Sequence, residues 1–194
     1  MRIFGRLYDR VLAWARHRYA GYYLAALSFA ESSFFPIPPD VMLLPMCLAK
    51  RSRAWQYAAI TTVMSVLGGI AGYLIGFFVI EAVEPWLRTA GYWPAYLRVH
   101  EWFGEWGFWA VIVAGFSPIP YKIFTIAAGA AVLNFPGFVL ASALGRAGRF
   151  FLVAGLVVLG GEKLEAGLRR YVDIIGWIVA VAAVLLALVY LLGN

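Results

Sequence analysis

The sequence predicts an all-α integral membrane protein with an inverted repeat of two re-entrant helical hairpins, each followed by a transmembrane helix. We also predict an N-terminal amphipathic helix and a C-terminal transmembrane helix. Three observations carry this prediction. The chain is 63% hydrophobic and 13% charged, whereas soluble domains are about 45–50% apolar and about 25% charged. Long stretches carry no charge. The tripeptide Pro-Ile-Pro interrupts two of the apolar segments.

The first element, residues 1–20, is predicted to be an amphipathic helix that lies in the membrane interface. Ile3, Leu7 and Val11 recur at helical spacing on one face, and arginines occupy the other. Such a helix buries its apolar face in the headgroup region. A partner-binding helix is the alternative. The recurring arginines place the helix on the cytoplasmic side and do not fit a cleavable signal peptide.

The first repeat, residues 21–83, begins with a segment that is cut by a proline cluster. The uncut parts on either side of Pro36, Pro38 and Pro39 are too short to cross a bilayer, which takes about 20 residues. Basic residues flank both ends of the segment, which favours the same side of the membrane for both ends. We therefore predict a re-entrant hairpin with these prolines at its tip. The uncharged stretch that follows, Ala54–Ile80, is the first predicted span.

The remaining elements are predicted by the same length and charge arguments. Residues 84–106 are rich in tryptophan and net acidic, as expected for a connector at the far interface. The second repeat, residues 107–161, is cut at Pro118 and Pro120, so it forms a second hairpin from the opposite face, followed by a span. Residues 172–194 form the last transmembrane helix. The whole chain is one membrane domain.

The two repeats agree in more than their prolines. Pro36-Ile37-Pro38 matches Pro118-Ile119-Pro120, Asp40 aligns with Lys122, and residues 65–69 match residues 142–146. Inverted repeats of broken helices are a transporter architecture, with the substrate site at the breaks. The sequence therefore predicts that the two hairpin tips face each other.

Five ionisable residues fall at predicted membrane depth: Glu31, Asp40, Lys122, Arg146 and Arg149. At roughly 2.5–3.5 kcal/mol each, exposure of all five to lipid would cost on the order of 12–17 kcal/mol. They must face one another or a wet cavity. One reading is a pair of structural ion pairs, Asp40–Lys122 and Glu31 with an arginine. The other is a positively charged cavity for an anionic headgroup.

The residues also carry a resemblance. The stretches "FAESSFFPIPPDVMLLPM", "SPIPYKIFTIAAGA" and "GRAGRF" resemble the DedA family, also called SNARE-associated or VTT-domain proteins, in particular its short YqaA-like branch. The resemblance implies opposed re-entrant helices and movement of lipids, such as undecaprenyl phosphate or phosphatidylethanolamine, across bilayers. It places the family's acidic pair on Glu31 and Asp40. A family arginine near the second tip is Lys122 here, which keeps the charge but loses the bidentate clamp on phosphate.

The predicted function is a flippase or scramblase that moves a phospholipid or polyprenyl-phosphate-type anionic lipid across the bacterial inner membrane. The three basic residues would attract the phosphate, and the two acidic residues would gate. The alternative is a proton-coupled transporter of a small solute or ion. A third class is a membrane organiser without transport activity. Coupling to protons and homo-oligomer formation are left open.

Other function classes find no support in the sequence. It contains no nucleophile–base set and no metal motif, so we expect neither an enzyme nor a cofactor or metal site. The net charge of +6 is attributed to basic flanks that face anionic lipid headgroups, and no nucleic acid partner is expected. The predicted partners are membrane lipids and, for the proton-coupled alternative, protons.

Overall fold

A computed structural model describes residues 17–33, 35, 37–117 and 120–160, which form helices and turns without a β-strand. A short 3₁₀ turn, Arg51–Arg53, joins the second helix to the third. The helices are α1 (Ala20–Ser33), α2 (Asp40–Ala49), α3 (Ala54–Thr89), α4 (Trp93–Phe116), α5 (Tyr121–Ala130) and α6 (Phe135–Gly160). We call α1–α3 the first half and α4–α6 the second half.

Some predicted features lie outside the described residues. They are residues 1–16 of the amphipathic helix, the C-terminal helix at 172–194, and the two tip prolines Pro36 and Pro118. The all-α fold class is confirmed for the part of the chain that the structure describes.

Two of the described helices, α3 and α6, are long and apolar enough to cross a membrane. Only about a third of the most apolar part of each helix is buried within the protein. The exposed remainder is the surface that a lipid environment would cover. Helix α3 is longer than the predicted span and continues through Pro85 to Thr89.

Each half contains a helix pair separated by a proline break. In the first half α1 has 14 residues and α2 has 10; in the second α4 has 24 and α5 has 10. Pro39 and Pro120 directly precede α2 and α5, a position where a missing N–H costs nothing to the helix. Pro94, in the first turn of α4, favours its start. Helix α4 runs without a break across positions 106 and 107, where the sequence analysis divides the connector from the second repeat.

Helix α3 packs closely against α1 of the first pair and α5 of the second pair through its glycines. A side chain at Gly68 would collide with the carbonyl oxygen of Phe29 in α1, and one at Gly76 would collide with the carbonyl oxygen of Ile126 in α5. Small residues let helix backbones approach in this way. These glycines therefore serve helix packing.

The helix ends of the first half meet at the start of α3. Ala20 at the start of α1, Cys47 near the end of α2 and Ala54 at the start of α3 belong to one buried apolar cluster. Phe150 and Ala154 of α6 complete that cluster. The start of α1 and the end of α2 therefore lie together at the start of α3.

The helix ends of the second half meet further along α3. The Tyr73 hydroxyl donates to the carbonyl oxygen of Leu133 at 2.6 Å. The Tyr96 hydroxyl, near the start of α4, donates to the carbonyl oxygen of Ala130 at the end of α5, at 2.8 Å. At 1.5 Å per residue, Tyr73 lies about 28 Å along α3 from Ala54. The ends of the two helix pairs thus meet α3 at well-separated levels.

Candidate functional site

A cavity of about 280 Å³ lies where the two breaks meet α6. The five ionisable residues that the sequence analysis singled out all line it. The complete lining is Glu31, Phe35, Pro38, Pro39, Asp40, Pro120, Lys122, Ile123, Arg146 and Arg149. Three of the predicted tip prolines are among these residues.

The positions of the five residues follow from the helices that carry them. Glu31 lies in the last turn of α1, Asp40 is the first residue of α2, and Lys122 is the second residue of α5. Arg146 and Arg149 lie on α6 three positions apart, a spacing that puts both side chains on one helix face. The cavity thus gathers charge from four helices.

The Glu31–Arg146 ion pair is the buried part of the site. The Glu31 and Arg146 side chains are 12% and 3% exposed. Arg146 also donates to the hydroxyl of Ser65 and, at 2.9 Å, to the hydroxyl of Ser32. The two serine hydroxyls lie 2.6 Å apart, and Ser32 donates to the Glu31 carboxylate at 3.0 Å. This network satisfies both charges where water has little access, as a buried ion pair requires.

Two aromatic rings flank the Arg146 guanidinium. Its central carbon lies 4.6 Å from the ring centroid of Tyr121 and 4.9 Å from that of Phe150, within the range of a cation–π contact. The Tyr121 hydroxyl in turn donates to the Ser142 hydroxyl at 2.5 Å. Arg146 is therefore held by its hydrogen bonds and by its ring contacts.

The Asp40–Arg149 ion pair is more open. Arg149 donates to the Asp40 carboxylate at 2.6 Å, and the two side chains are 18% and 25% exposed, respectively. Arg149 also donates to the backbone carbonyl oxygen of Ser117. Asp40 follows the first break and Ser117 precedes the second. Arg149 therefore links the chain segments on either side of the cavity.

The partner of Asp40 differs from the one proposed from sequence. The sequence reading with two structural ion pairs joined Asp40 to Lys122, whereas the structure joins it to Arg149. Lys122 lines the same cavity but comes from the start of α5. The arginine that the reading assigned to Glu31 is Arg146.

The charges at the starts of α2 and α5 have opposite signs at matching positions. Asp40 lies in the first turn of its helix, where the partial positive charge of the helix end stabilises a carboxylate by about 0.3–1 kcal/mol. Lys122 lies in the first turn of α5, where the partial positive charge of the helix end does not stabilise a cation. Its charge adds to the positive helix end instead. Three cations and two carboxylates leave the cavity with one net positive charge.

Sequence reasoning missed the neutral members of the site. Ser32, Ser65, Ser142 and Tyr121 are all buried, but they carry no charge that marks them at membrane depth. One signal was present: Ser65 and Ser142 open the matching stretches of the two repeats. The hydroxyls at both positions take part in the network around Arg146.

The fold and the site define a helical membrane protein with a charged cavity at two proline breaks. The model of the VTT domain matches residues 35–159. The chain therefore belongs to the VTT-domain family, of which DedA proteins are members. This confirms the family predicted from the sequence motifs.

Three relatives cover nearly the whole chain. An uncharacterized protein of Haemophilus influenzae is 48% identical over 185 residues, which are 95% of this chain and 96% of the relative. An uncharacterized protein of Histophilus somni is 44% identical over 189 residues, 97% of this chain and 99% of the relative. Undecaprenyl phosphate transporter A of Staphylococcus aureus is 22% identical over 187 residues, 88% of this chain and 91% of the relative. No solved structure matches the chain significantly.

Proposed function

We propose that this protein is a multi-pass transporter of the bacterial inner membrane that moves an anionic lipid between leaflets, as a flippase or scramblase. The observation that carries the proposal is the cavity that joins three cations and two carboxylates at the two proline breaks. Family membership and the relative named as an undecaprenyl phosphate transporter support a transport role. The five ionisable residues are the proposed transport residues.

The charge and size of the cavity favour a phosphate-bearing headgroup. Guanidinium and ammonium groups are the side chains that bind phosphate oxygens most strongly. A volume of about 280 Å³ lies near the lower end of the range for small-molecule sites, about 300–1,000 Å³. It accommodates a headgroup but not acyl chains as well. The acyl chains would remain in the bilayer during transport.

The rim of the cavity supports contact with lipid. Phe35 and Ile123 line the cavity and are 37% and 59% exposed. Exposed apolar side chains at the rim of a membrane-embedded cavity offer a surface that acyl chains can contact. A headgroup could therefore enter the cavity from the side while its tails slide along these two residues.

The positions of the helix ends support an inverted pair of re-entrant hairpins. The ends of the first pair meet α3 near Ala54, and those of the second pair meet it near Tyr73. The separation of about 28 Å along the helix is close to the hydrocarbon thickness of a bilayer, about 30 Å. We infer that the hairpins enter from opposite faces and that their tips meet near the midplane. This arrangement suits alternating access.

A second candidate is proton-coupled transport of a small solute or ion. The small cavity volume favours it, and Glu31 and Asp40 would take up protons when their arginine partners are displaced. Carboxylates inside a membrane commonly serve as proton relays. The two candidates share a site and differ in whether lipid tails must reach the rim.

Reconstitution into liposomes tests the proposal. Fluorescently labelled phosphatidylglycerol is placed in both leaflets, and a membrane-impermeant reductant then quenches the outer label. With the protein present, we expect quenching to proceed beyond the outer half. The matched control is Arg88→Ala, which breaks an exposed ion pair with Glu84 and should leave transport unchanged.

A pH gradient across the same liposomes separates the alternatives. A rate that rises with the gradient supports proton coupling of lipid transport. If the inner label stays protected under every condition, while the protein dissipates the gradient in the presence of a small solute, the lipid proposal is wrong and the second candidate stands.

A further inference from the structure

The two arginines of the cavity differ in their surroundings. We propose that Arg149, rather than Arg146, binds the phosphate of the transported lipid, and that Arg149 releases its ion-pair partner Asp40 when it does so. In this exchange the phosphate takes the place of the Asp40 carboxylate, and the Glu31–Arg146 pair stays intact. The inference rests on the proposed function and assigns separate roles to residues that sequence reasoning treated alike.

Arg146 is held by several buried partners. Its side chain is 3% exposed and donates to the Glu31 carboxylate and to two serine hydroxyls. Rings of Tyr121 and Phe150 lie near the guanidinium. A phosphate that took the place of Glu31 on Arg146 would leave the displaced carboxylate buried without its cation. Such a loss is among the costliest changes in a folded protein.

Arg149 offers a partner that can leave. Asp40 is 25% exposed, so its carboxylate can regain hydration when it leaves the arginine. A phosphate oxygen presents a negative charge to the same guanidinium, and the planar fork of arginine suits phosphate as well as carboxylate. Lys122 lines the same cavity and brings a second positive charge to the incoming anion. The exchange therefore replaces one anion with another.

The exchange also has a structural consequence. Arg149 joins Asp40, after the first break, to the carbonyl oxygen of Ser117, before the second. When a phosphate takes the place of Asp40, the contact of Arg149 with the second break can persist while its link to the first break is lost. The buried Glu31–Arg146 pair still connects the two halves. Headgroup binding would thus release the two hairpin tips from each other without separating the halves.

Thermal unfolding of the full chain in detergent tests the assignment. The probes are phosphatidylglycerol in mixed micelles and inorganic phosphate at equal concentration. A ligand that binds the folded state raises the Tm. The variants are Arg149→Ala, Arg149→Lys and Glu31→Gln, with Arg88→Ala as the control for loss of a surface cation.

We expect phosphatidylglycerol to raise the Tm of the wild type and of Arg88→Ala equally. Arg149→Ala should lose most of this rise with little change in its starting Tm. Arg149→Lys should lose more than half, because lysine keeps the charge without the fork. Glu31→Gln should start at a lower Tm and still show the full rise. Inorganic phosphate should give a smaller rise that also depends on Arg149, since the apolar rim contributes nothing to its binding.

Three results would overturn the inference. They are no rise in the wild type, a full rise in Arg149→Ala, and a rise lost in Glu31→Gln but kept in Arg149→Ala. If inorganic phosphate raised the Tm as much as phosphatidylglycerol does, the site would be assigned to free phosphate. The claim that it binds a lipid headgroup would then be overturned. The liposome assay separates these outcomes from a failure of the proposed function: lipid transport by wild type alongside a full rise in Arg149→Ala contradicts the inference alone.

Discussion

The two halves of the protein share an order of helices and differ in the sign of the charge that they bring to the cavity. The first half supplies both carboxylates, Glu31 and Asp40, and the second half supplies Lys122, Arg146 and Arg149. Both ion pairs at the cavity therefore cross from one half to the other. The difference shows that neither half assembles the charged cavity alone, because the cavity arises from their contact. Under the proposed function, an anionic ligand would compete with the carboxylates of the first half for the cations of the second.

Packing between the halves is as close as packing within one. Gly68 meets α1 within the first half, and Gly76 meets α5 across the two halves. Gly129 of α5 is held equally closely against the backbone of Tyr73. Helix α3 therefore serves as a common support for both proline breaks, which fixes the distance between the groups that bring charge to the cavity.

Cysteine labelling in cells gives the largest expected effect, because it is all or none. In a Cys47→Ala background, Gly21→Cys and Ser52→Cys should react with an impermeant reagent from the same face of the membrane. Thr89→Cys should react only from the other face, since α3 separates Ser52 from Thr89. Reaction of the first two positions from opposite faces would make the first helix pair a true span. The comparison of inverted halves would then fail.

Removal of the buried arginine is the largest expected change in stability. Arg146→Ala leaves Glu31 buried without its cation and should lower the free energy of unfolding by about 3–5 kcal/mol. Asp40→Ala breaks the more open pair and should cost about 1 kcal/mol, since solvent screens it. Denaturant unfolding in detergent measures both. Equal losses in the two variants would show that the pairs do not differ as the exposures of their side chains indicate.

A methyl group between the halves should have an intermediate effect. Gly76→Ala forces α3 away from the backbone of α5 and should cost about 1–3 kcal/mol through overpacking. Gly104→Ala is the matched control. A side chain at this position in α4 meets open space, so it should gain up to about 1 kcal/mol from helix propensity. If Gly76→Ala is also neutral or stabilising, the halves are not packed as closely as the contacts indicate.

Much of this architecture could be predicted because its causes are local in the sequence. An uncharged stretch predicted α3, and the length and flanking charge of the second repeat predicted the span at α6. Prolines predicted the two breaks, and the cost of burying charge predicted that five distant residues would gather. The length of α4 could not be predicted in this way. The N-terminal part of α4 has the aromatic and charged composition of a membrane interface. This composition predicted a connector there, although Pro94 favours the start of a helix.

The choice of ion-pair partners also lay beyond the sequence. The matching positions of Asp40 and Lys122 suggested that they pair, but pairing depends on which helix face reaches the cavity. Arg149, which lies on α6, pairs with Asp40 although the two residues are 109 positions apart in the chain. The serines around Arg146 were missed because burying a hydroxyl costs much less free energy than burying a charge. A serine in an apolar helix therefore does not indicate in the sequence where its hydrogen-bond partner lies. These features depend on packing between the halves.

The affinity of the protein for phosphatidylglycerol, compared between Asp40→Asn and Glu31→Gln, tests the central claim most directly. Each variant removes one negative charge from the cavity, so the net charge changes equally. If the headgroup competes with Asp40 for Arg149, Asp40→Asn should bind about fivefold more tightly than the wild type, which corresponds to about 1 kcal/mol for the lost competitor. Glu31→Gln should bind within about twofold of the wild type, because Arg146 takes no part in the exchange. Weaker binding by Asp40→Asn, or an equal gain in both variants, would contradict the claim that Asp40 and the lipid share one arginine.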